Sequence, residues 1–426
     1  MPLASHARWA DRRDRPAHAS SSAGRRPSTD DPRTPRLGFL APHHRGLDPL
    51  PARKGSGRGE RGDALIVELV VGARGRSLCL SELCGPSEEF AWTLQMIERE
   101  VEQHIGTDSP PVGSLDPAAP LVQALADAIA PIDLTPLRTT EDPLTLLAGL
   151  GAATDAAMPW QPPHVRDALA ALPAITDALR PTGAAIHASP AAAWWSSPIA
   201  LADQWEVAGE PYAQLRALRP ARPALEQIRR DSLGYEALFK KRYTDPAKEP
   251  GGTWWSTPVV WMGSEGTVRP ASSRRLASIG AMELAAQEDS YGPERAALRQ
   301  LLPSDADIRV YEVHQPSDWQ HLVATYPFDV SRSRRGVWWH STGIDGAWFI
   351  PDWQAVADDH DAVHVSIHGY LTTAGEAIPV PGGNTVLAGW NPDVTYWLCD
   401  VTAGTTEYWH RTSDSTTERW TRESTS

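Results

Sequence analysis

The sequence predicts an α+β protein: a helix-rich N-terminal unit, then a mixed or antiparallel sheet unit with Trp-bearing strands. Three observations lead there. Residues 118–180 are rich in Ala and Leu at helical spacing. From Ala191 onward, short β-branched and aromatic runs are separated by Pro/Gly turns. Those runs mix with short helical segments rather than alternating regularly with long ones, which argues against a doubly wound parallel sheet.

Residues 1–63 are rich in Arg, Ser, Pro, Gly and His and lack apolar periodicity. Such a segment buries too little surface to offset the entropy of ordering, so a disordered basic tail is predicted. A unit over 64–190 follows. Ala64–Val71 and Ser77–Leu83 read as two strands joined by a turn at Gly72-Ala73-Arg74-Gly75, a hairpin. Glu88–Ile105 reads as a helix, with Phe90, Leu94, Ile97 and Val101 on one face. Asp142-Pro143 is an N-cap and first-turn proline for a helix running to about Met158. Another helix is expected after Pro162-Pro163, interrupted at Pro181.

Residues 191–303 hold two related pentads, Trp194-Trp195-Ser196-Ser197-Pro198 and Trp254-Trp255-Ser256-Thr257-Pro258. A third, beginning Trp338-Trp339-His340, lies downstream, and all three are expected on strands. Pro223 to about Tyr243 reads as a helix, and 274–302 as a helix pair broken at Tyr291-Gly292-Pro293. In the C-terminal α+β unit, 304–403, a strand at Ile308–His314 precedes helices begun by Pro316 and by Pro351-Asp352. Strands are expected at 361–368, 385–389 and 394–401, then a flexible tail over 404–426.

Charge narrows the functions available. Residues 1–63 carry 13 Lys/Arg against 7 Asp/Glu, leaving 27 against 46 in the acidic remainder. An acidic body repels phosphate backbones, so no nucleic-acid partner is expected for it. No run approaches the ~20 apolar residues of a membrane helix, and no apolar signal core begins the chain, so no membrane partner and a cytoplasmic location are expected. The 3 cysteines, Cys79, Cys84 and Cys399, suit neither a disulfide framework nor a structural zinc site. The 18 Trp against 5 Phe and 9 Tyr partly reflect a G-rich coding bias, which abundant Arg, Ala and Pro also suggest.

The stretch from about Trp194 to Val401 resembles a Trp-rich family of conserved hypothetical proteins from high-GC bacteria. The residues that carry the likeness include Gly252-Thr253-Trp254-Trp255-Ser256, Pro351-Asp352-Trp353-Gln354-Ala355-Val356-Ala357 and Val363-His364-Val365. Gly369-Tyr370-Leu371-Thr372-Thr373-Ala374-Gly375, Leu387-Ala388-Gly389-Trp390 and Thr395-Tyr396-Trp397-Leu398 extend it. It brings no activity with it. The run Arg309-Val310-Tyr311 is similar to the opening of an ADP-ribosyltransferase-type fold. That likeness implies NAD as cofactor, Arg309 gripping the dinucleotide, Ser341 or Ser366 as the strand serine, and Trp338 or Trp348 against nicotinamide. The family's late glutamate has no counterpart before the last strands, since Glu376 falls in a turn.

Two further sets of residues are candidates. His360, His364 and His368, with Asp359 or Asp361, would ligate a divalent metal if a bent strand brought them together. Trp338, Trp339, Trp348, Trp353 and Trp397 would line a ligand-binding cleft for a small molecule or protein, a flat indole face stacking well on rings. The alternative is that these indoles fill the core. Cys399 alternates with Trp397 and reads as buried and inert. No Walker loop, dinucleotide fingerprint, zincin motif or nucleophile elbow is present. The leading expectation is a ligand-binding or regulatory protein, with the NAD enzyme and the metal enzyme as alternatives.

Overall fold

The computed structural model describes residues 67–105, 117–210, 214–242, 252–260, 267–276, 279–290, 292–304, 307–414 and 417–424. The basic tail expected over 1–63 lies outside them. The fold is α+β, as the composition of the two halves predicts: helices up to residue 187, and from residue 204 a mixed sheet with interspersed helices.

Helix α1 (Ala73–Cys84) stands where a hairpin was expected. A single turn of 3₁₀ helix, Leu69–Val71, leads into it, so neither strand of the hairpin exists among the described residues. Eight of its 12 residues are buried, among them Arg74, Arg76, Leu78, Leu80 and Leu83. A helix buried on nearly every side shows no 3.6-residue pattern, which is why its sequence resembles a strand. Around it pack α2 (Glu88–Ile105), α5 (Leu147–Asp155), α6 (Val165–Ala170) and α7 (Pro173–His187), with α3 (Ala119–Ile129) and α4 (Thr135–Thr139) bracing α7. Helix α2 follows its expected bounds, with Phe90, Leu94, Ile97 and Val101 buried. Helix α5 starts later than expected, because Asp142 caps only a turn by accepting from the Leu144 N–H at 2.9 Å. Pro181 lies inside α7 rather than ending it. Burial of Leu179, Thr182 and Gly183 around it offsets the lost backbone hydrogen bond.

Nine strands form the main sheet: β1 (Gln204–Glu210), β2 (Ala271–Leu276), β3 (Gly280–Ala281), β4 (Arg295–Pro303), β5 (Val310–Val313), β6 (Ala362–Val365), β7 (Val394–Trp397), β8 (Val401–Asp414) and β9 (Thr417–Arg422). Their order is β9-β8-β4-β1-β2-β7-β6-β5, with β3 beside β2. Only β5 and β6 run parallel, Glu312 opposite His364. Two expectations fail here. The helix pair over 274–302 is instead β2, β3, the four-residue helix α9 (Met282–Ala285) and β4, whose Ala and Leu residues are held as strand by neighbours on both sides. The tail expected after Ala403 is the paired ribbon β8-β9. Trp409, on β8, is buried against Trp205 and Leu298.

Five helices complete the fold: α8 (Ala221–Arg242), α10 (Pro316–Thr325), α11 (Ser331–Thr342), α12 (Trp353–Asp359) and, directly after β6, α13 (Ile367–Thr373). Three of them match expectation closely, α8, α10 and α12. The Trp pairs do not lie on strands: Trp194-Trp195 sit in turns, Trp254-Trp255 outside any helix or strand, and Trp338-Trp339 on α11. Among the described residues, the strand tryptophans are Trp205, Trp397, Trp409 and Trp420. No helix of the described residues is long and apolar enough to cross a membrane.

Candidate functional site

The expected tryptophan cleft is packed interior. Trp338, Trp348 and Trp397 are fully buried and Trp353 is 4% exposed. The Trp338 and Trp348 rings meet edge to face at 5.2 Å, and the Trp338 indole N–H donates to the Trp254 carbonyl at 2.9 Å. Trp397 donates to Ser272 Oγ at 2.8 Å. Of the five, only Trp339 keeps partial exposure, its ring against His340. An indole buries a large apolar area; the interior gives an acceptor to Trp338 and Trp397, while the N–H groups of Trp348 and Trp353 are buried without one among the described residues.

Arg309 does not enter a cavity. It stands just before β5 with a half-exposed side chain, held by Asp361 at 2.9 and 3.0 Å and by the Asp358 carbonyl. That pairing carries the Arg309 guanidinium above its usual value. Trp338 and Trp348, the proposed nicotinamide platforms, present no face to a ligand. Ser366 caps α13 by accepting from the Gly369 N–H at 3.1 Å, so it is not a strand serine.

The histidine triplet is likewise dispersed. The strand ends at Val365, so His364 lies on β6 and His368 on α13. His360 follows α12 and stacks edge to face on Tyr311. His368 uses both ring nitrogens on backbone carbonyls, those of His314 and Val67. Among the described residues, no group of three or more His, Cys, Asp or Glu side chains is placed to hold a metal ion. His364 instead bridges two carboxylates. Its Nδ1 meets Glu312 at 2.5 Å and its Nε2 meets Asp393 at 3.2 Å, and Arg274 pairs with the same Asp393 carboxylate. Burial opposes the charged ring, yet the two carboxylates outweigh it and raise the His364 pKa. Asp393, in the left-handed region at φ 60°, keeps its depressed pKa despite burial through the same bonds to His364 and Arg274.

A cavity of about 430 Å³ lies elsewhere, between the first turn of α1, the segment from 156 to α6, the end of α11, and the backbone at 374–377 and 386–387. Its size falls within the ~300–1,000 Å³ usual for small-molecule pockets. The walls are largely Ala, Pro, Met, Val and Leu. Pro162-Pro163 keep the chain extended, and His164 Nδ1 then caps α6 by accepting from the Arg166 N–H at 3.3 Å. Ser341, on the last turn of α11, lines this cavity, the only expected site residue to do so.

Charged groups sit among these apolar walls. Arg74 pairs with Asp167 and donates to the Ala153 carbonyl at 2.9 Å. Burial alone would lower the Arg74 pKa, but Asp167 raises it. Arg166 meets both oxygens of Glu98, at 2.5 and 3.1 Å. Arg76 meets Glu376 Oε1 at 2.6 Å and donates to the Val70 and Val71 carbonyls. Glu288 is buried with Tyr370 and the Gly389 N–H as donors, and desolvation pushes its carboxyl up to about 8. Below that pH it is a neutral acid inside the protein.

Sequence reasoning missed Arg74, Arg76, Asp167 and Glu288. One signal was present: two arginines, the only charged residues in the run from Leu69 to Leu80, stand among mainly apolar neighbours and require internal partners. The partners, 93 and 300 residues away, carry no such mark. No protein-family model, curated protein or solved structure matches this chain.

Proposed function

We propose that this protein binds a small, mainly apolar organic molecule in the cavity beside α1. The observation that carries the reading is an apolar chamber of about 430 Å³ with a buried carboxyl, Glu288, among its lining groups, whose pKa burial raises. A perturbed acid in a concave apolar site is a common mark of ligand or substrate contact. The ligand-binding role expected for the tryptophans thus moves to a different part of the fold. The three free cysteines fit a reducing, cytoplasmic setting.

The test uses octanol, an uncharged apolar probe, with calorimetry and thermal unfolding. The protein is expected to bind octanol and to unfold at higher temperature in its presence, by simple linkage. Ala168→Phe, a replacement on the half-exposed wall of α6, is expected to abolish that binding while the variant still unfolds cooperatively. Octanol binding unaffected by Ala168→Phe would remove the proposal.

A further inference from the structure

Within this cavity the arginines are not equivalent. A guanidinium recognises a carboxylate best along one edge, with two parallel N–H donors meeting two oxygens. Arg166 is satisfied in that way, its Nε and one Nη each taking an oxygen of Glu98. Arg76 is not. Its Nη2 donates to Glu376 Oε1 at 2.6 Å, its Nη1 to the Val70 and Val71 carbonyls, and its Nε is buried with no partner. The Nε–Nη2 edge of Arg76 is therefore half used, inside a cavity wall where an unmade hydrogen bond is costly.

The group occupying that edge is loosely held. The Glu376 side chain is 34% exposed while that of Arg76 is 11% exposed. Glu376 follows Gly375, which adopts φ 79° in a turn with nothing within 4 Å of where a Cβ would stand. A Glu376 backbone N–H bond to the Thr373 carbonyl is long, at 3.4 Å. Little besides Arg76 itself fixes this side chain over the cavity.

We infer that the ligand of this cavity carries a carboxylate, which displaces Glu376 and takes the Nε–Nη2 edge of Arg76 with both oxygens while its apolar body fills the chamber. Glu376 is then an internal stand-in for the ligand's head group. The exchange conserves charge at Arg76 and adds the missing bond to Nε. Glu288, neutral below about pH 8, puts no competing negative charge in the chamber. This inference rests on the ligand-binding reading above.

Octanoate and octanol, alike in chain and different in head group, separate the two ideas. Their dissociation constants are compared by calorimetry on the full chain and on Glu376→Gln, a change at a half-exposed turn that leaves the apolar walls intact. Removing the competing carboxylate is expected to improve octanoate binding roughly tenfold, about 1.4 kcal/mol, and to leave octanol unchanged. In ¹⁵N spectra the Arg76 Nε–H resonance is expected to shift with octanoate and not with octanol. If Glu376→Gln leaves the affinity for octanoate relative to octanol unchanged or weakens it, the carboxylate inference is overturned and the cavity reading stands. If neither probe binds either protein, both are overturned.

Discussion

At the scale of single residues, the interior of this protein is organised by charges that would be prohibitive alone. Arg269 is 1% exposed and donates to the carbonyls of Trp397, Arg219 and Cys399, and burial lowers its pKa to about 10. His364 bridges two carboxylates in the same way. Glu288 is the unbalanced case, and its effect on stability has a definite sign. Its folded pKa of about 8 lies above the ordinary 4.5, so between those values the folded protein holds a proton that the unfolded chain has released. Stability from this group therefore falls as pH rises from about 4.5 to about 8 and is flat beyond. Glu288→Gln keeps most of the hydrogen bonding and removes the titration. Its melting temperature is expected to fall less than that of the parent over this range, and equal slopes in a pH series of thermal scans would count against the assignment.

At the scale of elements, helix α1 decides the architecture because it is approached from all sides. Gly75 permits this. A Cβ there would lie 1.9 Å from the Leu69 carbonyl oxygen and 3.2 Å from that of Leu371, so α1 could not keep its contact with the preceding turn and with α13. Gly75→Ala is expected to destabilise by ~1–3 kcal/mol in chemical denaturation, as overpacking does, despite alanine's better helix propensity. Gly85→Ala, at the end of the same helix with its nearest neighbour 3.9 Å away and ordinary helical backbone, is the control and is expected to be neutral or slightly stabilising. Equal effects at the two positions would mean that close approach is not what glycine provides.

At the scale of the whole molecule, the sheet closes late in the chain. Strand β4 lies between β1 and β8, and the β8-β9 ribbon brings Trp409 onto Trp205 and Leu298. Arg275 and Glu407 bond across this part of the sheet at 2.8 Å, with Arg275 also stacked over Trp205 at 4.5 Å. A chain ended after Asp400 exposes that apolar cluster and a long unpaired edge on β4, a setting that favours aggregation. Such a truncation is expected to lose cooperative unfolding by circular dichroism. A truncated protein that melts as sharply as the parent would show the ribbon to be dispensable.

The residues themselves determined the elements whose faces are unambiguous. Helix α2 is legible from Phe90, Leu94, Ile97 and Val101, α10 and α12 from their opening prolines and caps, and β5 from its β-branched run, because each has one buried face or a specific start signal. Where an element is buried on all sides, as α1 is, or held as strand by two neighbours, as β4 is, local pattern carries no answer and packing decides. The cavity was illegible for the same reason. Arg74 and Arg76 announce buried charge, but Asp167, Glu288 and Glu376 reach them only once α6, the turn after α9 and the turn after α13 are folded against α1. Electrostatic pairing across hundreds of residues is a property of tertiary structure, because the energy of a buried ion pair depends on a few ångströms of separation that no spacing along the chain encodes.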